Sequence, residues 1–95
     1  MTTENSPLAE LRAEIDRLDD ELMTLLAKRY ALLPKVVAVK QAHNIPFRVE
    51  ARVQEVLARN EQAGQSKGLP NGYATDIYNV ILHYAHEYEE KILVK

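Results

Sequence analysis

The stretch LAELRAEIDRLDDELMTLLAKRYALLPKVVAVK, residues 8–40, decides the fold. Steps of three and four from its first residue select Leu8, Leu11, Ile15, Leu18, Leu22, Leu25, Arg29, Leu32, Val36 and Val39. That spacing puts all ten on one stripe of an α-helix, and nine are aliphatic, so the stripe is built for burial. Arg29 is the exception. A guanidinium among buried aliphatics is costly unless an anion meets it. Either a carboxylate of the protein itself, such as Glu89 or Glu90, pairs with it, or an acidic ligand enters a pocket lined by this helix.

Ser6-Pro7 supplies an N-cap and a proline at the first helical position, which opens the helix. The seam runs through Val39, and Asn44-Ile45-Pro46 is the first clear break. Pro34 lies within the helix and is expected to kink it. From Leu8 to Val39 the helix spans about 48 Å at about 1.5 Å per residue. A compact domain of this length is only about 32 Å across. The helix therefore projects, and a second subunit is the natural cover for its seam.

A second helix is expected from Val49 to Ala63, with Val49, Val53, Val56 and Leu57 on its apolar face. The segment from Gly64 to Gly72, with three glycines and a proline, reads as a connector. A third helix then runs from about Tyr73 to Leu93, with apolar positions Tyr73, Ile77, Val80, Ile81, Tyr84, Tyr88 and Ile92. The fold class expected is all-α: one domain over residues 1–95, a three-helix subunit with a long, kinked first helix, intertwined as a homodimer.

Composition narrows the function. The 95 residues are 46% hydrophobic and 27% charged, with a net charge of −2, so no basic footprint for nucleic acid is present. Cysteine is absent, which excludes disulfides, thiolate metal sites and a cysteine nucleophile. No apolar run approaches a membrane span, and the amino terminus lacks the basic and apolar regions of a secretion signal. A cytoplasmic protein is expected. His83, His86, Glu87 and Glu90 share a helix face but do not make the H-E-x-x-H pattern, so no metal site is expected.

Four cations stand out instead. Arg29 and Lys40 are 11 residues apart, which on a continuous helix separates them by about 20° around the axis and about 16 Å along it. Arg12 lies about 100° from Arg29, on a different surface, where in a dimer it serves the partner's site. Arg52, early on the second helix, closes the pocket from another side. Such a set suits a small dicarboxylate, because guanidinium forks hold carboxylates bidentately. The plainer alternative is surface pairing: Arg12 with Asp16, and Arg52 with Glu55.

These residues also resemble a known family. Leu11-Arg12-Ala13-Glu14-Ile15-Asp16-Arg17-Leu18-Asp19 is similar to the opening motif of the AroQ-class, all-helical chorismate mutases. The likeness continues through Leu25-Leu26-Ala27-Lys28-Arg29, Val36-Val37-Ala38-Val39-Lys40, Ile45-Pro46, Arg52 and Gly68-Leu69. It implies a dimer with two identical sites, in which Arg12 reaches the partner's site and Arg29, Lys40 and Arg52 hold the substrate. The reaction implied is rearrangement of chorismate to prephenate, with no cofactor or metal. Lys40 then donates to the ether oxygen, joined by a donor from the last helix.

That second donor is often glutamine in the family, and here the matching residue is Glu89. An ionised carboxylate cannot donate, so Glu89 either carries a proton or turns toward an arginine. Val49 and Val53 replace acidic residues common in the mutases, and Ala85 replaces a hydroxyl residue. An apolar residue at Val53 is similar to relatives acting on isochorismate or on aminodeoxychorismate, and the His83-Tyr84 pair is similar to the isochorismate pyruvate lyase branch. A helical dimer that binds such a metabolite without turning it over is the non-enzyme alternative.

Overall fold

The computed structural model describes residues 7–94. They form four α-helices and, among the described residues, no strand: α1 (Ala9–Tyr30), α2 (Leu33–Ala42), α3 (Glu50–Ser66) and α4 (Tyr73–Leu93). The chain divides into two compact units, residues 1–32 and residues 33–95.

The first unit is α1 and its lead-in turn. Ser6, the expected cap, lies outside the described residues; Pro7 and Leu8 form the turn, and the Arg12 N–H donates to the Leu8 carbonyl at 2.8 Å. No residue of α1 is buried. The aliphatic seam from Leu8 to Leu25 is between 47% and 62% exposed at every position. Lys28 and Arg29 occupy the last turn, where a cation complements the negative end of the helix dipole.

The long first helix is interrupted close to Pro34, where the kink was expected. It stops at Tyr30 and restarts at Leu33, ahead of Pro34 rather than at it. Pro34 is the cause. It has no N–H to offer the carbonyl four residues earlier, that of Tyr30, and its ring crowds that carbonyl. The backbone adjusts by tightening: Ala31 N–H donates to Ala27 at 2.9 Å, and Leu32 N–H to Arg29 at 3.1 Å, a three-residue step.

In the second unit α4 is central, packing against both α2 and α3. Val53 and Val56 of α3 meet Leu82 of α4, with Leu57 and Tyr78 packed around them. α2 buries Leu33 and Val37, one turn apart, and Lys40 follows on the same face. α3 extends three residues past its expected end because Gly64 lies inside it. A Cβ at Gly64 would stand 3.1 Å from the Ala74 Cβ, so its absence lets α3 lie close against the start of α4. Gly68 and Gly72, at φ +98° and +87°, make the reversals between the two helices.

The buried face of α4 differs from the expected one. Ala74, Leu82, Ala85 and Glu89 are buried, whereas Tyr73, Ile77, Val80 and Tyr84 are exposed. The apolar residues of α4 are spread over two faces, and the smaller side chains face α2 and α3. No helix among the described residues is long and apolar enough to cross a membrane.

Candidate active site

Lys40 and Glu89 are the predicted site residues that the fold brings together. Lys40 ends the buried face of α2, and Glu89 continues the buried face of α4. Their side chains meet at 2.7 Å, Nζ to Oε1. Glu89 is 4% exposed, and the Lys40 side chain 17%. The ammonium also donates to the backbone carbonyl of Phe47 at 2.7 Å. Glu89 has therefore turned toward a lysine, not an arginine. The pair is locally neutral, and of the three N–H bonds of an ammonium, two are engaged among the described residues. One remains for an anion or an ether oxygen.

The partner of Lys40 is a residue the sequence had singled out: Glu89, at a position that is often glutamine in the family it resembles. The Phe47 carbonyl could not have been foreseen, since backbone acceptors leave no trace in side-chain spacing.

The remaining candidates are described each on its own helix. Arg52 is exposed on the first turn of α3 and donates to Glu55 at 2.7 Å, the surface pairing weighed as the plainer alternative. Such an exposed pair is worth little and yields readily to a stronger anion. Arg29 is half-buried in the last turn of α1, and Arg12 is exposed near the start of that helix. Of the three departures, Val53 is part of the α3–α4 core, Ala85 is buried, and Val49 is half-buried at the N-cap of α3.

His83, His86, Glu87 and Glu90 line a groove with Arg48 and Val53. Among the described residues no three histidine or carboxylate side chains come close enough together to hold a metal ion. His83 and Tyr84 meet edge to face, with centroids 5.0 Å apart.

Sequence reasoning missed Glu61 entirely. From α3 its carboxylate accepts the backbone N–H groups of Gly72 (2.7 Å) and Thr75 (3.0 Å) and the Thr75 hydroxyl (2.7 Å). Gln65 donates a further bond at 2.7 Å. A side chain of one helix thus caps the start of another, satisfying N–H groups that α4 cannot pair internally. These bonds, that from Gln65 first and those from Gly72 and Thr75 after it, lower the Glu61 pKa from 4.5 to about 2. No local motif announces a cap donated from eleven residues away.

With the geometry in view, comparison with known proteins is direct. Residues 11–90 match the family described as chorismate mutase type II. The chain is 31% identical over 80 residues to a 4-amino-4-deoxychorismate mutase of Streptomyces venezuelae, covering 84% of this chain and 78% of that one. It is 35% identical over 82 residues to a bifunctional chorismate mutase/prephenate dehydratase of Escherichia coli, covering 86% of this chain and 21% of that one. A T-protein of Enterobacter agglomerans is 30% identical over 82 residues, 86% of this chain and 22% of its own. The chain thus spans most of the first relative and about a fifth of the other two. The match spans the positions of Arg12, Arg29, Lys40, Arg52 and Glu89, all of α2 and α3 and most of α1 and α4, and the protein belongs to the type II chorismate mutase family.

Proposed function

We propose that this protein is a chorismate mutase, an isomerase that rearranges chorismate to prephenate in the cytoplasm, on the route to aromatic amino acids. The observation that carries the reading is the Lys40 ammonium. It is largely buried, held by two acceptors and left with one N–H to give. The pericyclic step needs no covalent intermediate, cofactor or metal. It needs the enolpyruvyl arm held over the ring, which removes a conformational and entropic barrier. It also needs a fixed donor at the ether oxygen, where negative charge develops as the carbon–oxygen bond breaks. Lys40 supplies that donor.

The two substrate carboxylates require further cations, because Glu89 neutralises Lys40. Arg29 and Arg52 serve one site, Arg52 exchanging Glu55 for substrate, and Arg12 of the partner subunit completes it. Dimerisation is supported by the uncovered seam of α1 and by the exposed apolar stripe Tyr73, Ile77, Val80 and Tyr84 on α4. Covering six half-exposed aliphatics of the seam is worth on the order of 5 kcal/mol or more per subunit.

The test is a product assay by NMR, with chorismate and isochorismate offered separately to the pure protein. Prephenate from chorismate is the expected result. Salicylate and pyruvate from isochorismate, or no turnover of either, overturns the assignment.

A further inference from the structure

Lys40 is held at both ends by the same turn. Its backbone carbonyl accepts the Ile45 N–H at 2.9 Å, a bond spanning six residues. With Asn44 in the left-handed region at φ +55°, this is the Schellman close of α2. Its side-chain ammonium then donates to the Phe47 carbonyl, two residues further on. Pro46 between these contacts has a fixed φ and no N–H of its own to compete for an acceptor. The Phe47 ring meets His86 edge to face, with centroids 6.3 Å apart. His86 sits one turn before Glu89 on α4, so one stretch of α4 presents both the carboxylate that pairs with Lys40 and the ring that seats the turn.

A lysine normally has four freely rotating side-chain bonds and a strongly hydrated head, and is poorly suited to aiming a donor. Here two acceptors in fixed positions set the orientation of the ammonium, and with it the direction of the one remaining N–H. We infer that the turn over residues 43–47 is the positioning element for Lys40, with Asn44 and Phe47 as positioning residues that aim its free N–H at the reacting ether oxygen. The turn touches no reacting atom. It acts through Lys40, and the inference rests on the reading of Lys40 as the catalytic cation.

A misaimed donor costs stabilisation gained only in the transition state, whereas the arginines that bind the carboxylates are untouched. The signature is therefore a fall in kcat with little change in KM. Two substitutions separate aim from folding. Asn44→Val forces a β-branched residue into a left-handed conformation, while Asn44→Gly accepts it without strain. An ester in place of the Phe47–Arg48 peptide bond, built by ligating synthetic segments of the full chain, weakens the Phe47 carbonyl as an acceptor with every side chain kept.

The expected result is a kcat lower by on the order of tenfold to a hundredfold for Asn44→Val and for the ester, with KM within about twofold. Asn44→Gly restores kcat, and the 15N resonance of the Lys40 ammonium shifts in the two impaired forms alone. An unchanged kcat in both impaired forms, or an equal rise in KM, overturns the inference. If the unsubstituted protein forms no prephenate, the proposed function fails first, and this inference falls with it. That outcome is visible before any variant is compared.

Discussion

Replacing Glu89 by glutamine tests the site most sharply, because it removes one charge and nearly nothing else. The Oε1 acceptor that meets Lys40 at 2.7 Å survives as an amide carbonyl. At that distance and an effective dielectric of about 20, the gross attraction lost is about 6 kcal/mol. Desolvation of two buried ions offsets most of it. What remains is the difference between a bond joining two ions and one joining an ion to an amide, about 1–2 kcal/mol of stability. The effect on substrate has the opposite sign. A substrate carboxylate about 6 Å from Glu89 is repelled by roughly 0.7–3 kcal/mol for dielectrics between about 80 and 20. We predict that Glu89→Gln lowers the urea midpoint while lowering KM for chorismate by about tenfold. Urea unfolding and steady-state kinetics on the same preparations check both halves. A KM that is unchanged or higher, in a variant that remains folded, refutes the claim that this pair faces the bound dianion.

Other expectations follow from the remaining contacts. The Glu61 pKa is lowered on folding, so its stabilisation is fully present above its unfolded value of 4.5 and is lost as pH falls toward about 2. Glu61→Gln should therefore lower Tm at pH 7 and flatten the dependence of the urea midpoint on pH between 4.5 and 2; a curve parallel to the unsubstituted protein's would count against the cap. Gly64→Val places a branched side chain where a Cβ already stands 3.1 Å from Ala74. A loss of about 1–3 kcal/mol is expected, partly recovered by adding Ala74→Gly, and additivity of the two changes in urea unfolding would show that the helices are not in close contact there. Leu18→Asp puts a charge in the middle of the exposed seam of α1. Sedimentation velocity should show a dimer for the unsubstituted chain and a monomer for this variant, and an undisturbed dimer would place the interface elsewhere.

The helices were legible in the sequence because their signals are local and redundant. The Asn44-Ile45-Pro46 break and the Gly72-Tyr73 start each involve residues whose backbone preferences leave few options. Pro34 was legible as a disruption, but its effect falls on the carbonyl four residues earlier, so the helix ends at Tyr30. Gly64 misled for a related reason. Glycine signals either a turn or a close approach, and only the position of Ala74 distinguishes them. Periodicity also marked apolar stripes without saying which would be covered. The stripe Leu32, Val36 and Val39 is exposed, while Leu33 and Val37, one residue over, are buried and Lys40 is partly so. The site was partly readable as chemistry: Lys40 was singled out with Arg29 as a cation on one helix stripe, and Glu89 as the residue matching the second donor of the resembled family. Their union was not readable, because it depends on the packing of two helices that brings together residues 49 apart in the chain.

The cap formed by Glu61 has a consequence for how α4 is registered. A helix packed along its side can slide or turn with modest loss, since one apolar ridge resembles the next. α4 is denied that freedom by two polar clasps, Glu61 at Gly72 and Thr75, and Lys40 at Glu89. From Thr75 to Glu89 is 14 residues, about 21 Å of rigid rod. A slip of one residue would swing Glu89 by about 100° and shift it by about 1.5 Å, taking it out of reach of the ammonium. The height and angle of Glu89 are thus set partly at the far end of its helix. Insertions in the connector over residues 67–71 leave both clasps intact, whereas a single residue inserted inside α4 satisfies one clasp only by releasing the other.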